Sequence, residues 1–205
     1  MRRAITCLAV FCLTLPVAQM ALANDSAYTD LDYKACETLS VEEDFSITFK
    51  CPGLPSYPVY ASEGDLRFST LFGPVDKRYL DGAFESFGHF NRTANKIEWR
   101  LGQNGKPIAT ILRWFIDNPD PDTGMTSETL KGQVLVVSTV AQPGAPESCV
   151  AGYIDALANV NSNSLARSIA DGIAPGFDCG ADEPVYHGLR GPKAGEPSRT
   201  LPEQD

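Results

Sequence analysis

Between positions 44 and 51 the sequence DFSITFKC alternates strictly, with Phe45, Ile47, Phe49 and Cys51 on one side and Asp44, Ser46, Thr48 and Lys50 on the other. A period of two over eight residues predicts a strand with one face buried and the other in water. Pro52-Gly53 ends it. YPVYAS and LRFSTLF follow as two further short strands, with a turn at Glu63-Gly64-Asp65. The clearest pattern is KIEWRLGQNGKPIATILRWF, residues 96–115. Asn104-Gly105 predicts a type I′ hairpin turn, in which both central residues take positive φ. That turn sets Leu101 opposite Ile108, Trp99 opposite Thr110 and Ile97 opposite Leu112 as the apolar face. Glu98, Arg100 and Lys96 then share the other face with Ala109, Ile111 and Arg113, and Glu98 lies diagonal to Arg113. QVLVVSTVA and SCVAGYIDALA read as two more strands, joined by the proline- and glycine-bearing QPGAPE.

The period changes once. In NVNSNSLARSIADGIAPGFDCG, residues 159–180, Leu165, Ile169 and Ile173 recur every four residues with Ala166, Ala170 and Ala174 beside them. This is a helix that packs on a sheet through small residues, capped by Asn163 or Ser162 and stopped by Pro175-Gly176. The expected fold is therefore α+β: a mainly antiparallel sheet with one main helix near the C-terminus packed on it. Residues 24–187 form a single domain of ordinary size. The last stretch, GLRGPKAGEPSRTLPEQD (188–205), is rich in glycine, proline and charge and is expected to be disordered.

At the other end, Arg2-Arg3, the apolar run Ala4 to Val17 and the small-residue site Ala21-Leu22-Ala23 have the layout of a signal peptide, residues 1–23. Cleavage after Ala23 leaves Asn24 to Asp205. Two of the 17 basic residues leave with the signal, so 15 face 26 acidic residues and the mature net charge is −11. Such a balance argues against nucleic acid and against anionic membrane surfaces, both of which need basic patches, and no membrane insertion is expected after cleavage. Any macromolecular partner is expected to be a cationic protein.

Cys7 and Cys12 also leave with the signal. Cys36, Cys51, Cys149 and Cys179 remain, an even number in an exported chain, and they read as two disulfides. Three pairings exist. Cys36–Cys51 and Cys149–Cys179 are preferred because each is local and brackets one structural unit. Zinc is the alternative, but the spacings contain no C-x-x-C.

Candidate chemistry is sparse. DNPDPDTG, Asp117 to Gly124, crowds three carboxylates, an amide and a glycine into eight residues. Read from Asn118 as a calcium loop, it has Asp120 and Asp122 at the third and fifth positions, but Thr123 replaces the sixth-position glycine and Thr129 the twelfth-position glutamate. A solvated loop is expected instead, with Asp117, Asp120 and Asp122 as its partner-binding residues and no metal. His89 and His187 are the two histidines, too few for a three-histidine centre. Asn91-Arg92-Thr93 matches a glycosylation sequon. No G-x-S-x-G, H-E-x-x-H, P-loop or dinucleotide fingerprint is present, so no cofactor is expected. Trp99, Trp114, Tyr57 and Tyr60 are either core or binding surface, and the hairpin pattern assigns Trp99 to the core.

YPVYASEGDLRFSTLFGP, KIEWRL, ATILRWF and CVAGYIDALAN together resemble an uncharacterised family of exported bacterial proteins. The resemblance implies a periplasmic or secreted location and carries over no activity. The expected class is a non-catalytic binding or envelope-associated protein. The alternatives are an inhibitor of a cationic wall-degrading enzyme, with the acidic loop as bait, and a hydrolase that uses carboxylates.

Overall fold

The strands and the helix form one three-layer arrangement in the computed structural model, which describes residues 25–41 and 46–203. The expected signal peptide and cleavage site, and Asp44 and Phe45 of the first alternating stretch, lie outside the described residues. A six-stranded sheet forms the middle layer. Its order is β1 (Asp25–Asp30), β7 (Asn91–Leu101), β8 (Pro107–Ile116), β9 (Gly132–Thr139), β10 (Val150–Asp155) and β11 (Val185–Tyr186). All neighbours are antiparallel except β10 and β11. A second sheet of four antiparallel strands runs β2 (Glu37–Val41), β3 (Ser46–Leu54), β4 (Tyr57–Gly64) and β5 (Arg67–Phe72). A short ribbon pairs β6 (Phe84–Phe87) with β12 (Pro197–Thr200).

Alternation decides which side each layer takes. On β8, Ala109 and Ile111 face helix α2 (Ser162–Gly172) and join Leu135, Ala166, Ile169 and Ala170 in one buried cluster. The intervening Leu112, Trp114 and Ile116 face the second sheet and meet Val59, Phe72 and Phe87. Trp99 is fully buried there, edge-on to Phe72 at 5.7 Å, with its Nε1 donating to Thr29 Oγ1 at 2.8 Å. Burying one such side chain contributes about 1.5–3 kcal/mol, which is why a two-sided sheet needs near-continuous apolar strands. The fold is thus α+β and mainly antiparallel, with one main helix packed on the sheet.

Hairpin register follows the sequence for four pairs: Ile97 with Leu112, Glu98 with Ile111, Trp99 with Thr110 and Arg100 with Ala109. It then slips, because Leu101 pairs with Pro107 rather than Ile108. The turn is not type I′. Gly105 alone takes positive φ (73°), its N–H donates to Gly102 O, and Gly102 N–H donates to Lys106 O. This is a three-residue loop with a glycine bulge, the other common solution for Asn-Gly. The primed geometry occurs one hairpin earlier, where Asp65 and Leu66 both have positive φ (49° and 58°) between β4 and β5. Glu63 offsets that strain by accepting from Leu66 N–H at 3.0 Å.

The expected Glu98–Arg113 contact does not form: Arg113 donates to Gln133, and Glu98 turns to α2. The helix itself starts at Ser162 behind an Asn161 cap that makes no side-chain bond, so neither Ser162 nor Asn163 caps it. Ile173 lies past its last turn and is 37% exposed, which leaves Ala166, Ile169 and Ala170 as the packed stripe.

Both bridges pair as the spacing indicated. Cys36–Cys51 ties the middle of β3 to the end of the short 3-10 turn at Tyr33–Ala35, and Cys149–Cys179 ties the start of β10 to the helix exit. Residues 188–203 are not disordered. Their β12 strand pairs with β6, Ala194 is fully buried, and Tyr186 Oη donates to Ala194 O at 2.6 Å. Lys193 O runs so close to Gly132 that a Cβ there would lie 1.8 Å from it, so only glycine fits beneath the crossing tail. No helix among the described residues is long and apolar enough to cross a membrane.

Candidate functional site

The outward face of the second sheet carries a groove of 760 Å³. Its floor is the polar side of the first alternating strand: with Phe49 and Cys51 turned inward, Ser46 and Thr48 line the groove beside Ser62 of β4. Thr48 Oγ1 and Ser62 Oγ lie 3.1 Å apart. One wall is β2. There the pairing jumps from Thr38–Phe49 to Ser40–Thr48, a bulge that inserts Leu39 and bends the edge strand. Leu39 and Ser40 both line the groove.

The facing wall is a one-and-a-half-turn helix, α1 (Lys77–Gly82). Asp76 caps it by accepting from Tyr79 N–H at 3.0 Å, as a short acidic cap should. Tyr79 is buried beneath Leu71 and Val75, and this anchor presents Lys77, Leu80 and Asp81 to the groove. Lys77 and Asp81 pair with each other at 2.6 Å, both well exposed. Phe84 and Thr200, partners in the β6–β12 ribbon, close the end. The lining is therefore a hydroxyl floor, a few apolar side chains, and one self-neutralised ion pair.

Beneath this end, a buried carboxylate holds the ribbon in place. Glu85 is 1% exposed at its side chain; it accepts from Val150 N–H at 2.7 Å and from Arg199 Nε at 2.9 Å. Arg199 also donates to Cys179 O (2.8 Å) and Asp182 O (3.0 Å). Burial pushes the Glu85 carboxyl up to about 7, against the opposing pull of the Val150 N–H and the Arg199 guanidinium. Because the folded value lies above the ordinary 4.5, the stability this group contributes is fully present below about pH 4.5 and is lost as pH rises through 7. Denaturant melts across that window should show stability falling by up to ~1.4 kcal/mol per pH unit from this one group. Glu85→Gln should flatten that slope; an unchanged slope would assign it elsewhere.

Two other carboxylates are equally committed. Asp155 is 2% exposed and accepts from Leu157, Ala158 and Gly191 N–H. Glu98 accepts from Ser26 Oγ and Arg167 Nε, at 2.6 and 2.7 Å, and lies 3.6 Å from Arg100, whose guanidinium grips Asp171 of α2. Burial alone would raise the Glu98 carboxyl, but Arg167, Ser26 and Arg100 together hold it below its usual range. Glu98 and Arg100 thus clamp the sheet to α2, and Asp155 ties its own turn to the tail at Gly191.

The acidic loop is split by the structure. Asp120 turns its Oδ1 inward to accept from Thr123 N–H (2.9 Å), Thr123 Oγ1 (3.0 Å) and Asp122 N–H (3.1 Å), led by the Thr123 N–H in holding its carboxyl below the ordinary value. Asp117 lies 3.7 Å from Lys131 Nζ. Asp122 stays exposed, with the 70%-exposed Met125 three residues on. Among the described residues no group of three or more His, Cys, Asp or Glu could hold a metal ion.

His89 is exposed on its loop. His187 lies against Gly152, and burial lowers its pKa. The sequon asparagine is unavailable in the folded chain, since Asn91 is 4% exposed and bonded to Ser86 Oγ and Phe68 N–H. Trp99 and Trp114 are core, and Tyr57 donates to Gln142 at 3.0 Å. The groove itself is what residue patterns missed. Its hydroxyls come from β2, β3, β4 and β12, and the one available signal, the polar side of DFSITFKC, reads as an ordinary solvent face. No family model matches this chain, and neither a curated protein nor a solved structure matches it.

Proposed function

We propose that this is an exported, non-catalytic binding protein of the periplasm or the extracellular medium, and that its ligand lies in the groove between β2, β3 and α1. The groove carries this reading: a concave site of ligand size with a floor of neutral hydroxyls and a single Lys77–Asp81 ion pair on its wall. The buried carboxylates Glu85, Glu98 and Asp155 support it from the other side, because each already accepts from cations or backbone donors in structural contacts. A hydrolase needs an acid and a base that converge on one cleft. Two disulfides fit an oxidising compartment, and export through a cleaved signal accounts for both. The test is comparative capture. Immobilised mature protein should retain an envelope component that the groove-filling variant Ser62→Trp does not. Equal retention by both, or by neither, contradicts the reading.

A second reading concerns the acidic loop. Residues 119–129 are almost wholly exposed, and the Asp120 turn pre-shapes them, which lowers the ordering cost of binding. A cationic protein, such as a wall-degrading enzyme to be inhibited, would meet Asp122 and Met125 first. Titration against a cationic lysozyme at low and moderate salt should then show salt-sensitive binding that Asp122→Asn weakens. Absence of binding at low salt removes lysozyme as that partner.

A further inference from the structure

The chemistry of the groove narrows its ligand, and this step rests on the reading of the groove as the binding site. The floor strands offer side chains only. β3 is paired on both edges, with β2 and β4, and β4 likewise with β3 and β5. An incoming peptide strand therefore finds no open edge along the floor for strand addition, the mode that lends peptides their affinity, and the free edge of the β2 wall is interrupted by the Leu39 bulge. Charge gives no purchase either. Lys77 and Asp81 pair at 2.6 Å, so the lining carries no net charge to favour a phosphate, a carboxylate or a cation.

What remains is an array of hydroxyls (Ser40, Ser46, Thr48, Ser62 and Thr200), each able both to donate and to accept. Beside it stand Leu39, Leu80 and Phe84. A neutral sugar chain has the matching surface: hydroxyl edges that donate and accept in turn, and apolar C–H faces that pack on aliphatic and aromatic side chains. The volume suits more than a single small molecule, at 760 Å³ near the upper end of ordinary ligand clefts. We infer that the groove binds a neutral oligosaccharide, with the Thr48–Ser62 hydroxyl pair as its central contact and Leu39, Leu80 and Phe84 as its apolar rails.

Calorimetric titration of the mature protein with chitotetraose and with cellotetraose tests this, with a neutral alanine-rich octapeptide as a third probe. At least one tetrasaccharide should bind, about equally well at low and high salt, because screening acts on charge and not on neutral hydrogen bonds. The double variant Thr48→Val, Ser62→Ala should weaken that binding tenfold or more. Ser62→Ala alone, which leaves the strand pairing untouched, should weaken it in the same direction if the double variant folds poorly. Octapeptide binding that the variants abolish, without sugar binding, overturns the saccharide and leaves the groove as the site. Binding of sugar that is indifferent to Thr48 and Ser62, or no groove-dependent binding of any probe, overturns both.

Discussion

At about pH 8, where Glu85 is ionised, Arg199→Ala should destabilise the protein by about 3–5 kcal/mol, and by less below about pH 7, where the carboxyl is protonated. The substitution leaves Glu85, 1% exposed, with only the Val150 N–H to face it, and it strips the donors from Cys179 O and Asp182 O. Breaking one side of a buried pair costs far more than the pair contributes relative to apolar groups, because the remaining carboxylate must stay dry and unmatched or take up a proton. Arg199→Lys should recover only part of the loss, since an ammonium keeps the charge but not the fork that spans three acceptors. Chemical denaturation reads both. A loss below about 1 kcal/mol for the alanine variant would place the contact with ordinary surface ion pairs.

Removing the Cys149–Cys179 bridge is the second large effect. Its sequence separation of 30 predicts a loss of about 3–4 kcal/mol, chiefly through the unfolded chain. The bridge is also buried against Thr139, whose hydroxyl accepts from Cys149 N–H at 2.9 Å. Arg199 holds the carbonyl of Cys179 itself, so the disulfide and the ion pair restrain one segment from opposite ends. A double-mutant cycle between Arg199→Ala and the Cys149→Ala, Cys179→Ala pair should therefore be non-additive by about 0.5–3 kcal/mol. Strict additivity would mean that the tail ribbon and the helix exit are independent.

Local patterns were legible where neighbours in sequence set the outcome. The strict alternation of Ile97 to Ala109 fixed four hairpin pairs, and the four-residue recurrence of Leu165 and Ile169 placed α2 on the sheet. Cysteine pairing was legible because each bridge closes around one local unit. The hairpin turn was not, since Asn-Gly suits both a primed turn and a glycine bulge, and the choice lies in strand twist and packing.

The tail was misjudged for a physical reason. Its composition promises little burial of its own, but its order comes from groups far away in sequence: Glu85 for Arg199, the edge of β6 for Pro197 to Thr200, and Gly132 beneath Lys193. The groove was illegible for the same reason. Ser46 and Thr48 look like solvent-facing residues until α1 and Thr200 are placed opposite them. Of the acidic trio, sequence spacing could not foresee that Asp120 would spend its carboxylate on its own turn.

Backbone amide mapping of the isotopically labelled mature protein, titrated with chitotetraose, locates the binding surface most directly. Shift changes should concentrate on Ser46 to Thr48, Ser62, α1 and Phe84, with the loop at Asp117 to Gly124 unmoved. Shifts confined to that loop, or spread without focus over the six-stranded sheet, would contradict a sugar-binding groove.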